Sequence, residues 1–328
     1  MIVPAYWAES RRQHRDPQQQ RTVRRFGWSD LSQEAAQAHA DARAEEALAR
    51  VLAGESLPSR DRKLPYNGAH GLPIREEVLQ REGEAVLTRN SYGARCLNTP
   101  DVLFVDIDFP TRAPASWSWA VWLVVPLVGL LASVSSWWRA GSGWLLLGIV
   151  LFGLPAPWLA GRLHRAWQRF RGGPEAAARR RVEAFVRARP AWNMRLYRTP
   201  AGLRVLATHA VFDPHDAEVQ ACFKALGADP RYRAMCRNQR CFRARVSAKP
   251  WRIGIMQHLR PRPGVWPVAP ERMALRTAWV ADYEARAQGY AACRYLGDVG
   301  SGSTDLRVVP VRQWHDDLCR AHTQLPLA

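Results

Sequence analysis

The sequence has no G-x-S-x-G elbow, no H-E-x-x-H helix and no lysine-bearing P-loop, which removes the commonest hydrolase, zincin and Walker-type readings. Its six cysteines, Cys96, Cys222, Cys236, Cys241, Cys293 and Cys319, form no C-x-x-C pair and lack zinc-finger spacing, so reduced thiols are the expectation. Met1 to Arg25 is polar and arginine-rich and carries no apolar stretch of the kind a signal peptide needs. Lysine is almost missing: of 47 basic residues only three are lysine. Acidic residues number 29, which leaves a formal net charge of +18 over 328 residues. A charge of that size favours anionic partners, namely nucleic acid, nucleotides or lipid headgroups. Carried by arginine, it suits bidentate contacts to phosphate.

One long stretch lacks charge altogether apart from Arg139. Ala113 to Gly161 contains two uncharged runs of 22 residues, Trp117–Trp138 and Ala140–Gly161. A bilayer core needs about 20 apolar residues per helix, and tryptophans cluster at the ends of both runs as interfacial indoles do. These features predict a transmembrane helical hairpin. Arg162, Arg165, Arg169 and Arg171 follow it, so positive-inside counting predicts both termini in the cytoplasm and an inner (cytoplasmic) membrane location. The expected divisions are 1–112, 113–161, 162–259 and 260–328.

Outside that segment, residues 1–28 show no period and read as a loose arm. An alanine- and glutamate-rich helix is expected from Asp30-Leu31-Ser32-Gln33 to Ala53. A short helix over Ile74–Arg81 and a strand over Ala85–Thr88 follow. Val102 to Pro110 is a buried-type strand ending in Asp106 and Asp108. Beyond the apolar segment come a helix over Pro174–Arg189, alternating strands at Met194–Arg198 and Leu203–His209, a helix over His215–Leu226, and a strand at Cys241–Val246. The order β-α-β-β-α-β is the split βαβ pattern, so the fold class expected is α+β, a ferredoxin-like or RRM-like core interrupted by the two-helix hairpin. Residues 260–328 read as an α/β appendage.

In that topology Asp106 and Asp108 share one open sheet face, with Arg204, Arg243 and Arg245 nearby. Paired aspartates can hold Mg²⁺ or Mn²⁺ while arginines clamp phosphates. The competing reading is a cross-strand ion-pair ladder. Cys236 and Cys241 read as buried thiols, Gly300-Ser301-Gly302-Ser303 as a flexible turn, and His315-Asp316 as a solvated helix start.

A hydrophobic strand ending in Asp106-Ile107-Asp108, a later strand ending in His209, and Arg245-Val246-Ser247-Ala248-Lys249-Pro250 together resemble the archaeo-eukaryotic primase superfamily. The resemblance covers about 102–109 and 174–252. It implies an RRM-like catalytic core, Asp106 and Asp108 as catalytic metal ligands, and His209 with Arg245 and Lys249 as nucleotide-phosphate contacts. Asp213 and Asp305 are the candidates for the third acid. Two functions are therefore expected: a membrane-anchored, metal-dependent nucleotide or nucleic-acid site of nucleotidyltransferase type, or a non-catalytic membrane-associated module binding anionic lipid or a protein.

Overall fold

The computed structural model describes residues 3–17, 20–61, 72–109 and 172–328, together with 162, 166 and 170. The chain divides into two compact units, one of residues 1–107 and 183–328, the other of 108–182. Ten strands and six α-helices occur among the described residues, so the class is α+β.

The membrane hairpin is corrected. Among the described residues no helix is long and apolar enough to cross a membrane, and the expected spans over 113–161 lie outside the described residues. The longest described helix, α1 (Gln33–Leu52), has 20 residues but carries Glu34, Asp41, Arg43, Glu45, Glu46 and Arg50. The remaining helices have at most 15 residues, about 23 Å against a hydrocarbon core of about 30 Å. The two-span, multi-pass reading and the membrane as a partner fall with it. In the unit of residues 108–182, the described part is chiefly the start of α2 (Gly173–Arg187), in which Ala178 and Val182 are buried at helical spacing.

The arm at 1–28 is also corrected. β1 (Tyr6–Arg15) and β2 (Gln20–Ser29) form an antiparallel ribbon in continuous register from Tyr6↔Ser29 to Arg15↔Gln20. Their inner face packs on α1, whose buried residues are Ala36, Ala40, Ala44 and Ala47. Ser32 caps the helix, accepting from Ala35 N. Small residues on both sides let backbone approach backbone. A Cβ on Gly27 would collide with the Ala36 and Ala40 backbone of α1. Ser10 and Arg12 reach Asp41 and Glu45 on the helix at 2.6 and 3.1 Å. An alternation built from alanine, serine and arginine carries little hydropathy contrast, which is why the ribbon does not stand out in sequence.

Two four-stranded sheets make up the rest of this unit. β3 (Glu77–Glu82), β4 (Ala85–Arg89) and β5 (Arg95–Thr99) form a meander that continues onto β9 (Phe242–Arg245). The residues of β3 replace the short helix expected at 74–81. The second sheet has the order β10-β7-β8-β6, with β6 (Phe104–Asp108), β7 (Asn193–Arg198), β8 (Gly202–Ala207) and β10 (Arg294–Gly300). Helices α3 (Ala217–Leu226, capped by left-handed Gly227) and α4 (Pro230–Gln239) lead from β8 to β9.

The ferredoxin-like order expects β6 between β8 and β9. β8 is in place, but β9 belongs to the other sheet. The seam between β6 and β9 is filled by side chains instead of ladder bonds. The Tyr232 hydroxyl lies 3.0 Å from the carbonyls of both Phe104 and Arg243, and Arg204 Nη1 donates to Arg245 O at 2.8 Å.

The region expected as an appendage completes the fold. α5 (Met273–Ala287) is tied to the meander through Arg276–Glu77 and Arg89–Glu284. β10 extends the second sheet beside β7. α6 (Val309–Cys319) covers the sheet face expected to be open: the His315 ring sits 5.1 Å from that of Phe104 and 4.9 Å from that of Tyr197. We expect Gly27→Ala to cost about 3 kcal/mol, the upper end of overpacking, because the displaced neighbours are helix backbone. Urea denaturation of the two proteins checks this; equal midpoints would mean that α1 does not rest on β2 as described.

Candidate metal centre

The alternation of β6 sets Val105 and Ile107 in the core and leaves Asp106 and Asp108 exposed on the other side. Asp106 does not stand free. Its two carboxylate oxygens accept from Arg204 Nε and Nη2 at 2.7 and 3.0 Å, a fork-to-fork ion pair. Arg204 is 2 % exposed and Asp106 48 %. Burial pushes the Asp106 carboxyl up, but the Arg204 guanidinium outweighs it and holds the acid below its ordinary value.

The other expected phosphate contacts are spent elsewhere. Arg243 pairs with Glu76 at 2.7 Å and with Asn98 at 2.8 Å. Arg245 donates to the Ser247 carbonyl, and Lys249 lies over the Trp251 ring at 5.4 Å. His209 accepts from Asn193 N through Nδ1 and packs between Trp192 and Phe212. Asp213 is taken up by His215 at 2.9 Å, Asp305 by Arg307 at 2.6 Å. The structure therefore brings Asp106 together with Arg204 and the Arg245 backbone, with Asp108 on the same side of β6. Gly302 N donates to Asn193 Oδ1, so the Gly300–Ser303 turn braces β7.

What lies above Asp106 and Arg204 is a cluster that sequence spacing did not single out. His315 and Cys319 are four residues apart on α6, one turn, and so share a face. Cys293 precedes β10 and is carried to the end of α6 by the bond from Ala292 N to Cys319 O, 3.0 Å. His315 Nε2 and Cys319 Sγ are 3.5 Å apart. The donor atoms of Cys293, His315 and Cys319 all lie within 4.8 Å of one another, and all three residues are buried. His315 and Asp316, read from sequence as a solvated helix start, are corrected accordingly: both are interior.

The surroundings of the cluster are polar and paired. His315 Nδ1 faces Asp316 Oδ1 at 3.0 Å. Asp316 Oδ2 accepts from Arg195 Nη2 at 2.8 Å and lies 3.2 Å from His322 Nε2. Arg195 Nε donates to the Tyr197 hydroxyl at 2.9 Å. Arg204 Nη1 lies 3.3 Å from His315 Nε2. Burial pushes Cys222 and Cys241 up to about 12. Cys319 differs: burial raises it too, but Cys293 and the His315 imidazole more than offset that, and its thiol is held well below the ordinary value.

Two thiols and an imidazole are soft and borderline donors, suited to zinc rather than to Mg²⁺ or Mn²⁺, which take oxygen ligands. A tetrahedral zinc with bonds of about 2.3 Å to sulfur and 2.0 Å to nitrogen puts those two ligand atoms about 3.5 Å apart. A carboxylate on the second imidazole nitrogen is the usual outer-shell partner of a ligating histidine. In comparisons with known proteins, no family model matches this sequence, and no curated protein or solved structure is significantly similar to it.

Two outcomes are expected. Asp106→Asn leaves Arg204 buried without its anion. Breaking a fully buried pair costs about 3–5 kcal/mol; the half-exposed carboxylate reduces this to about 2 kcal/mol, readable by chemical denaturation. At His209, burial lowers the pKa below its ordinary 6.5. The unfolded chain then binds more protons than the folded one as pH falls below that value, so this contribution is present above it and lost in acid. The wild type should lose more melting temperature between pH 7.5 and 5 than His209→Gln.

Proposed function

We propose that this chain is a metal-binding α+β protein in which a zinc-class divalent cation is held by Cys293, His315 and Cys319. The observation that carries the reading is the convergence of three soft donors in the interior, with Asp316 on the far nitrogen of the imidazole. Three protein ligands leave one corner of a tetrahedron, an arrangement also used by catalytic zinc. Here all three ligands are buried, which favours a structural role. The cation ties the strand entering β10 to the last turn of α6, and so fixes the helix that covers β6, β7 and β8.

This favours a non-catalytic module over nucleotidyl transfer at Asp106 and Asp108, because the guanidinium of Arg204 already occupies both oxygens of Asp106. A phosphate-bound Mg²⁺ or Mn²⁺ would have to displace that ion pair.

Full-length protein purified without chelator should contain about one equivalent of zinc by elemental analysis. Cobalt substitution should give a thiolate-to-cobalt charge-transfer band, weakened in Cys293→Ser. Because the serine variant can misfold, the wild type supplies an independent arm. Chelator should lower its melting temperature, and free zinc at about 100 times the dissociation constant should add about 2.7 kcal/mol, a rise of about 5 °C or more for a domain of this size. No bound metal, no band and no thermal response would together sink the proposal.

A further inference from the structure

On the outer face of the β1–β2 ribbon, arginines stand directly opposite one another. Arg11 pairs in register with Arg24. Arg24 in turn bridges Arg60 on the segment that follows α1, its N donating to Ser59 O at 2.7 Å. Bridged residues share a face, so Arg11, Arg24 and Arg60 make a row across three neighbouring segments, about 10 Å wide. Arg15 lies on the same face four residues beyond Arg11, about 13 Å along the strand. All four are exposed. Like charges opposed across a ladder destabilise it. Among the described residues one acid pairs with this row, Glu9 at 3.8 Å from Arg24. Among the described residues Arg11 donates to its neighbour Gln13, at 3.3 Å.

The contrast with the inner face is sharp. There Arg12 is matched by Asp41 and Glu45 of α1, both at 3.1 Å. Asp41 and Glu45 of this helix face the ribbon and neutralise Arg12 on its inner side, while among the described ion pairs the outer row of four arginines has one glutamate. We infer that the outer face of the ribbon binds the phosphate backbone of nucleic acid. Guanidinium forks match phosphate oxygens, and a two-stranded ribbon has the dimensions to lie along a duplex groove. A lipid surface is a poorer match, since the exposed part of the face offers Glu9, Arg11, Gln13, Arg15 and Arg24, all polar or charged. The aromatic residues of the same face are covered: Trp7 is buried, Trp28 packs against it with Arg43 over its ring at 4.9 Å, and Phe26 lies under the Arg75 guanidinium at 3.6 Å. Contacts of this kind position a protein on nucleic acid without reading sequence.

The test uses the full chain and fluorescence anisotropy with a labelled 30-base-pair duplex of arbitrary sequence across a salt series. A matching single strand and vesicles containing phosphatidylserine run beside it. The comparison is Arg11→Gln/Arg15→Gln/Arg24→Gln/Arg60→Gln. Wild type should bind nucleic acid of unrelated sequences alike, more weakly as salt rises. The variant should bind at least about tenfold more weakly, with a log–log salt slope smaller by about 3. Because the substitutions remove like-charge opposition, its melting temperature should be unchanged or higher, which separates lost binding from lost folding. Equal duplex affinity in the two proteins, or wild-type binding to vesicles and not to nucleic acid, would overturn the inference. The metal centre plays no part in it, so the result is the same with or without zinc.

Discussion

Arg204 is 2 % exposed, and its guanidinium reaches three parts of the chain that are far apart in sequence. It forks onto Asp106 of β6, donates to the Arg245 carbonyl of β9, and lies against His315 of α6. A cation taken out of water costs several kcal/mol unless geometry and hydrogen bonding compensate. Here the fork supplies the counter-charge, and the Arg245 carbonyl accepts a hydrogen bond from an Nη1–H that would otherwise be orphaned. Because no ladder joins β6 to β9, that bond and the Tyr232 hydroxyl are what close the seam between the sheets. Remove the cation and the two sheets and their covering helix lose a common point.

The ribbon and α1 follow a different logic. Their contact is alanine on glycine and alanine, so it removes little apolar area, and area sets the hydrophobic contribution. Close approach and charge replace bulk: Arg12 with Asp41 and Glu45, and Arg43 with Asp61 and the Phe26 carbonyl. Committing Asp41 and Glu45 of α1 to the inner face leaves the outer arginines with Glu9 among the described ion pairs. The packing and the exposed positive face are thus one arrangement.

Alternating apolar residues made β6, β7, β8 and β9 legible, because each sets alternate apolar side chains in the core and strand period is 2. α3 was legible to its last residue, since Gly227 supplies the left-handed cap. Local pattern could not say which strands become neighbours, and so it put β9 beside β6. Nor could it say what covers a sheet. Asp106 and Arg204 were rightly placed on one face, but the covering helix comes from more than a hundred residues later. β3 has the composition of a short helix, and its pairing with β4 decides otherwise. The long uncharged segment was the loudest signal in the chain, and no membrane-crossing helix accompanies it among the described residues.

The cysteines show the same limit in chemical form. Zinc motifs are recognisable when a short loop carries two ligands, because the loop alone fixes their separation. Here Cys293 and Cys319 are 26 residues apart, and a backbone bond from Ala292 to Cys319 brings them together. The one local signal was His315 with Cys319, a turn apart on an amphipathic helix. Charge completes the argument. Around the cluster, Asp106 answers Arg204 and Asp316 answers Arg195, so the fixed charges cancel. Two thiolates would leave this interior at −2, which a low-dielectric site does not tolerate. At the proposed site a divalent cation would restore neutrality with both sulfurs deprotonated, whereas a monovalent one would leave a buried negative charge. The donor set suits a thiophilic metal.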